Sequence, residues 1–309
     1  MIAAYAMRGR MQAVMLAALF AVLAMLLPPL LIIGSAVVGL VTLRLGARRG
    51  LEVMAGGVVV AALAGVILLH DPALGLASLL FWLPVLMLGL LLRYSVSLSF
   101  TVQVALIIGL LPPLLEWIFL SSHGGNWLHL LDPLRQALTE SKMLEPEQVT
   151  EVMNWLSIWL GAFMAGGLFL QVCLGLFLAR SWQAKLYNPG GFRQEFQALR
   201  VTRPLIFLAT VIGLLMLFGS GSQWSLVRIL AVLLMLLLFF QGLAVLHSLL
   251  SRSRAGEAWL LGVYALLLFA LPYMSVAVAA TGYADAWLDF RKLDSQGRKD
   301  DSGEAGEDE

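Results

Sequence analysis

The chain is poor in charge, in cysteine and in histidine. Charged residues fill 13% of its 309 positions, about half the ~25% of a typical soluble domain. So little charge excludes a soluble enzyme or a soluble binding module. The formal net charge is +1, so no field of one sign steers nucleic acid or an acidic partner. The single cysteine, Cys173, lies inside an apolar run, and no internal disulfide can form. Of the four histidines, His70, His123, His129 and His247, the pair His123 and His129 stands closest in sequence. They are not at the i, i+4 spacing of a helical zinc pair, so no metal and no cofactor is expected. A Walker A sequence is missing, which excludes ATP hydrolysis by that route. Cys173 has no His or acid at helical spacing, and the Gly219-Ser-Gly-Ser222 stretch lacks the nucleophile-elbow pattern. The chain reads as a non-enzyme.

What is present is oil. Apolar types make up 60% of the sequence, and mean hydropathy is +0.88. They fall in blocks of about 20 residues, the length a bilayer asks of a helix. The expected fold is all-α, a polytopic transmembrane helical bundle of eight or nine apolar helices. The blocks run 11–27, 29–45, 51–69, 72–92, 94–120, 153–180, 204–222, 224–250 and 257–281. The first two count as one kinked helix or as two, depending on how Pro28-Pro29 acts. Arg8 and Arg10 precede the first block as in a signal peptide, but spans follow at once without a cleavage site, so an uncleaved helix is expected. Residues 1–292 form the integral membrane domain, divided into a core (11–180), an inner amphipathic loop (181–203) and additional helices (204–281). Residues 293–309 are acidic and rich in Gly and Ser, and read as a disordered tail.

Charge placement gives the orientation. With the N-terminus inside, the inner segments collect Arg8, Arg10, Arg44, Arg48, Arg49, Arg93, Arg180, Lys185, Arg193, Arg200, Arg203, Arg252 and Arg254. The outer loop 121–151 holds only Arg135 and Lys142 against five carboxylates. This is the positive-inside pattern of a bacterial cytoplasmic (inner) membrane protein, with loops 44–51 and 180–203 cytoplasmic. Arg228, near the outer end of its helix, is the exception. The side of the tail depends on the last block. If that block crosses, the tail and its Arg291, Lys292, Arg298 and Lys299 lie outside; if it turns back at Pro272, they lie inside.

Within the loop 181–203, Asn188-Pro-Gly-Gly signals a turn. Phe192, Phe196 and Leu199 then recur at helical spacing, with basic and amide side chains on the other faces. This reads as an amphipathic helix on the inner leaflet, or as a docking surface for a cytoplasmic partner. Gly57, Ala61 and Gly65, and likewise Ala162 and Gly166, repeat at i+4 and predict close helix packing. No span carries a midplane Asp or Glu. The candidate ligand-lining residues are Glu116 and Trp117 near an outer helix end and Gln103 at mid-span, with Gln171 and Gln241 as further buried amides. Breaks at Pro28-Pro29, Pro84, Pro112-Pro113 and Pro272 free backbone groups inside the bilayer, a device that transporters use to bind solutes.

Several short stretches resemble the YybS-like bacterial membrane proteins: Thr42-Leu-Arg44-Leu-Gly46 followed by Gly50; Leu91-Leu-Arg93; Asn188-Pro with Phe192-Arg-Gln-Glu195-Phe-Gln-Ala-Leu199-Arg200; and Gly282-Tyr-Ala-Asp285-Ala-Trp-Leu-Asp289-Phe-Arg291. The resemblance spans roughly residues 11–292. The family is uncharacterised and lends no catalytic residues. Its first six helices are similar in pattern to the S components of energy-coupling-factor vitamin transporters, which implies a solute-binding membrane core. The chain departs from that group by three apolar segments after residue 203 and a long outer loop.

Two functions follow as expectations. The first is a solute-binding or transport-associated membrane protein, whose partners are the lipid bilayer and a small-molecule solute. The second is a non-transport scaffold or regulator of envelope processes, with a membrane or cytoplasmic protein partner. Nucleic acid is a partner in neither. A polar cavity lined by Glu116 and the mid-span glutamines favours the first, and a solid apolar bundle the second.

Overall fold

Several helices begin or end at a proline or glycine, but the break expected at Pro84 is absent, since that residue stands inside a continuous helix. The computed structural model describes residues 1–115, 118, 130–141, 143–219, 224–250 and 256–292, and among these the chain is all-helical, without a strand. It divides into two compact units, Met1–Gln194 and Glu195–Glu309.

In the first unit a short α1 (Ile2–Ala6) precedes α2 (Arg10–Leu23). The chain then breaks at a 3-10 turn, Pro28–Leu30, and resumes as α3 (Leu31–Leu45). Leu27 is extended, with φ −135°, as a residue before proline tends to be. Proline has no N–H to continue the ladder, so the first block is two helices. Next come α4 (Ala47–Leu69), α5 (Ala73–Ser95, running through Pro84), α6 (Leu98–Gly109) and the short α7 (Leu111–Leu115). The block expected as one helix over 94–120 is thus interrupted at Leu110, just ahead of Pro112-Pro113. A short helix, α8 (Asp132–Ser141), leads to α9 (Pro146–Tyr187), 42 residues long. At ~1.5 Å per residue α9 measures about 63 Å, twice the hydrocarbon thickness of ~30 Å. Its N-terminus is fixed by a capping box between Glu145 and Gln148 with Pro146 in the first turn, which satisfies orphan N–H groups.

The helix α3 is the centre of this unit. Ten consecutive residues, Gly34 to Leu43, are buried, because α2, α4, α5 and α9 all pack on it. A helix apolar on every face belongs in such a place. The small residues on α4 do what their spacing predicts. Gly57, Ala61 and Gly65 are buried, and a Cβ on Gly57 would come within 2.7 Å of the Trp82 ring. Ala162 and Gly166 are buried on α9. Between α3 and α4 Gly46 takes φ +90°, a left-handed turn that glycine adopts without strain, and Gly50 leaves room for the Thr42 hydroxyl. Arg93 Nη1 donates to the Leu43 carbonyl at 2.9 Å, and the Arg44 guanidinium sits 4.1 Å over the Tyr187 ring.

The second unit begins inside α10 (Gly191–Gln197) and continues with α11 (Arg203–Phe218), α12 (Ser225–Leu250), α13 (Gly256–Phe269) and α14 (Leu271–Leu288). The last expected block, 257–281, is therefore two helices that part at Ala270, with Pro272 in the first turn of α14. Tyr283 Oη lies 2.8 Å from Thr210 Oγ1, and Trp287 meets Phe207 edge-on at 5.4 Å. So α14 runs antiparallel to α11 and ends beside its start. Against α12 the approach is backbone to backbone: a Cβ on Gly242 would fall on the Val278 carbonyl oxygen, and one on Gly282 on that of Leu238. Arg228 is buried, only 5% exposed. Of the stripe predicted to lie on the inner leaflet, Leu199 is buried, while Phe192 and Phe196 are half-buried, against Phe177 and His247 respectively.

Among the described residues, six helices are long and apolar enough to cross a membrane: Pro28–Leu45, Ala47–Leu69, Ala73–Ser95, Leu98–Leu115, Pro146–Tyr187 and Ser225–Leu250. Arg10–Leu23, Arg203–Phe218 and Ala258–Phe269 are apolar but shorter.

Candidate functional sites

The proline breaks of the first unit leave a space between helices. Where α2 stops short of Pro28 and α3 starts anew, their ends cannot fill the volume facing α5 and α9. The result is a cavity of about 610 Å³. Its walls are the end of α2 with Pro28 and Pro29, the start of α3, the first two turns of α5, Pro112, and the stretch of α9 from Met164 to Leu174. Among the described lining residues, Ser78 and Gln171 carry the polar side chains. The Ser78 hydroxyl donates to the Leu74 carbonyl of its own helix at 2.8 Å. Gln171 Nε2 is buried and finds no acceptor among the described residues. An unmade hydrogen bond on a buried amide costs about 1–3 kcal/mol, so this donor is poised for an acceptor brought in from outside. Gly167, on the same wall, has nothing within 4 Å of a Cβ built on it.

Glu116 and Trp117 fall outside the described residues. Gln103 is half-buried on α6, its Nε2 donates to the Ser99 carbonyl at 2.8 Å, and it does not line the cavity. Gln171 does, and it was legible as a mid-span amide. What could not be read was which glutamine would lack a partner.

A second site occupies the second unit, and it is polar. Residues 198–202 are irregular, and Val201 is buried there, so the backbone groups need partners. Gln241 on α12 supplies one: its Oε1 accepts from Val201 N at 2.7 Å, while its Nε2 donates to Gly282 O and to Asp285 Oδ2, both at 3.0 Å. Arg291 supplies two more, donating from Nη1 to the Gln197 and Leu199 carbonyls at 2.7 and 3.1 Å. Its Nη2 donates to Asp285 Oδ2 at 2.7 Å. The side chains of this ion pair are 7% and 1% exposed. Asp285 Oδ1 and Arg291 Nε find no partner among the described residues. Nearer the surface Arg200 grips Asp289 with two parallel hydrogen bonds, 3.0 and 2.6 Å. The Arg200 guanidinium holds the Asp289 carboxyl below the usual carboxylate range, and Asp289 raises Arg200 in turn. Gln197 Nε2 donates to the His247 carbonyl at 3.1 Å, which ties the end of α12 to the same place.

This cluster has the chemistry of a staple. It joins α10, the segment after it, the C-terminal half of α12 and the end of α14. No group of three His, Cys, Asp or Glu that could hold a metal ion occurs among the described residues. A family model described as "Predicted membrane protein (DUF2232)" matches residues 15–286. The chain belongs to this family. The DUF2232 match takes in the whole cavity wall and, of the staple, everything up to Asp285, leaving Asp289 and Arg291 just beyond it. No curated protein and no solved structure matches the chain.

Of the staple residues, Asp285 and Asp289 enter the sequence reading only inside the family-like stretches, and Arg200 and Arg291 otherwise only as charges that bear on orientation. A signal was there: Asp285 and Asp289 stand four apart at the end of an apolar run, with Arg291 two further on. Charges so placed need partners, but beyond the Asp285–Arg291 pair itself these lie far along the chain: Gln241 is 44 positions from Asp285, Arg200 89 from Asp289, and the carbonyls that Arg291 meets 92 and 94 away.

Proposed function

We propose that this DUF2232 protein binds a solute in the cavity of its first unit and acts in association with transport. The observation that carries the reading is the buried, unpaired Gln171 Nε2 on the wall of a ~610 Å³ space. That volume lies in the ~300–1,000 Å³ range of small-molecule sites, and helix breaks at such a place are a feature of solute-binding membrane folds. The YybS-like and S-component-like patterns of the sequence support the same reading. No catalytic step is assigned.

The cell membrane proposed is the bacterial inner one, with the basic loops cytoplasmic. Eight apolar helices cross it: α2, α3, α4, α5, α6 with α7, α9, α11 and α12. The ninth block, α13 and α14, leaves and returns, turning at Ala270. The hydrogen bonds of Gln197 to His247 and of Arg291 to Gln197 and Leu199 support this, because they gather the ends of α12 and α14 at the linker between α10 and α11. Arg291 and Lys292 then join the basic inner face, as the positive-inside rule asks.

The alternative, a scaffold or regulator of envelope processes, is favoured by one observation: Gln241, Asp285 and Arg291 of the second unit bond to one another and to backbone groups of the linker. Native mass spectrometry of protein extracted gently from its own membrane separates the two. A stoichiometric adduct that disappears in Gly167→Leu is the result expected. A bare protein, or one carrying an envelope-assembly partner alone, overturns the solute reading.

A further inference from the structure

We infer that the ligand of this cavity is a long hydrocarbon chain with one neutral acceptor, the acyl chain and ester carbonyl of a membrane lipid. The inference rests on reading the cavity as a binding site and goes on to its chemistry. The described part of the wall carries no charged side chain, and its backbone breaks are made by Pro28, Pro29 and Pro112, residues without an N–H. Ser78 already spends its proton on Leu74. Gln171 Nε2 is left as the donor in search of an acceptor. A vitamin-like solute with many donors and acceptors would lose its hydrogen bonds to water here and regain one, at a cost of roughly 2–7 kcal/mol for each neutral group left bare. A lipid chain loses none, and its ester carbonyl matches the one donor. At roughly 30 Å³ per water-sized group, about 610 Å³ takes a chain on the order of 20 heavy atoms, the length of a fatty acyl ester.

In the proposed topology the ends of α2, α3 and α5 and the Pro112 end of α6–α7 lie on the outer side, while the α9 stretch from Met164 to Leu174 lies at mid-span, so the cavity runs from the outer side toward the bilayer centre. Gly167 lines it, and a Cβ added there meets nothing within 4 Å.

The test is equilibrium binding of tritiated methyl palmitate to the purified full chain in micelles, with hexadecane as competitor. Wild type is expected to bind one molecule per chain saturably. Gly167→Leu is expected to lose binding while keeping the wild-type melting temperature. Gln171→Leu is expected to bind three- to tenfold more weakly, the factor for one hydrogen bond, and to lose the preference of the ester over hexadecane. Saturable binding that Gly167→Leu leaves unchanged overturns the inference, as does a Gln171→Leu variant that still prefers the ester. If methyl palmitate does not bind but native mass spectrometry finds a polar adduct that Gly167→Leu removes, the lipid inference fails and the solute reading stands. If neither binds, both fail.

Discussion

The ion pair between Arg291 and Asp285 should be costly to break and cheap to replace. Its side chains are 7% and 1% exposed, so little water stabilises either charge alone. In Arg291→Met the Asp285 carboxylate keeps one donor among the described residues, Gln241 Nε2, and the carbonyls of Gln197 and Leu199 lose theirs. Removing one member of a buried pair costs about 3–5 kcal/mol, roughly two to three and a half decades in the folding equilibrium. Asp285→Leu strands the guanidinium and should cost about as much. The double variant, Asp285→Leu with Arg291→Met, leaves no bare charge. Exchanging a buried pair for apolar side chains is often neutral or stabilising by about 1–4 kcal/mol. Against that stand two lost hydrogen bonds to linker carbonyls, about 1 kcal/mol each. The double variant should therefore fold within about 2 kcal/mol of wild type, closer than either single one. The orphaned Asp285 Oδ1 and Arg291 Nε point the same way, since the native pair leaves part of its polar capacity unused. The assay is reversible unfolding of purified protein in mixed micelles of dodecyl maltoside with rising sodium dodecyl sulfate. A double variant as unstable as the sum of the singles, or an Arg291→Met cost below about 1 kcal/mol, would refute the reasoning.

Other outcomes follow from the same geometry. Gly242→Ala drives a methyl onto the Val278 carbonyl oxygen and should destabilise by about 1–3 kcal/mol; Gly167→Ala meets nothing and should stabilise by about 0.5–1 kcal/mol, both read by the same titration. Asp289 is held below its ordinary range by Arg200. Its contribution is complete above the unfolded value near ~3.9 and is lost as pH falls through the lower native one. The pair is partly exposed, so its worth is about 0.2–1 kcal/mol, and Asp289→Asn should flatten that acid limb while leaving stability at pH 7 lower by this amount. In a Cys173→Ala background, single cysteines in Asn188→Cys and Lys292→Cys should react with an impermeant maleimide in inverted vesicles and not in right-side-out ones. Labelling of the two from opposite faces would rule out the returning α13–α14 pair.

The sequence by itself determined that the chain is a helical membrane protein, because hydrophobic blocks of bilayer length admit no other solution once backbone groups must be satisfied internally. It also pointed to three of the helix breaks, at Pro28, just ahead of Pro112 and just ahead of Pro272, where a residue without an N–H interrupts the ladder. The break expected at Pro84 does not occur, because α5 runs through it. The packing face of α4 was legible for the same reason: the i+4 repeat of Gly57, Ala61 and Gly65 is a property of one helix. The candidate site was not legible. Gln103, Gln171 and Gln241 look alike in sequence, each an amide in an apolar run. Only the tertiary structure assigns Gln103 to a carbonyl of its own helix, Gln241 to a staple between α12 and α14, and Gln171 to a cavity with no acceptor. A hydrogen bond is a relation between two groups, and these partners come from elements far apart along the chain. The same holds for Arg291. In sequence it is a charge after the last helix, and in the fold it is the buried clamp on a linker that begins nearly a hundred residues earlier.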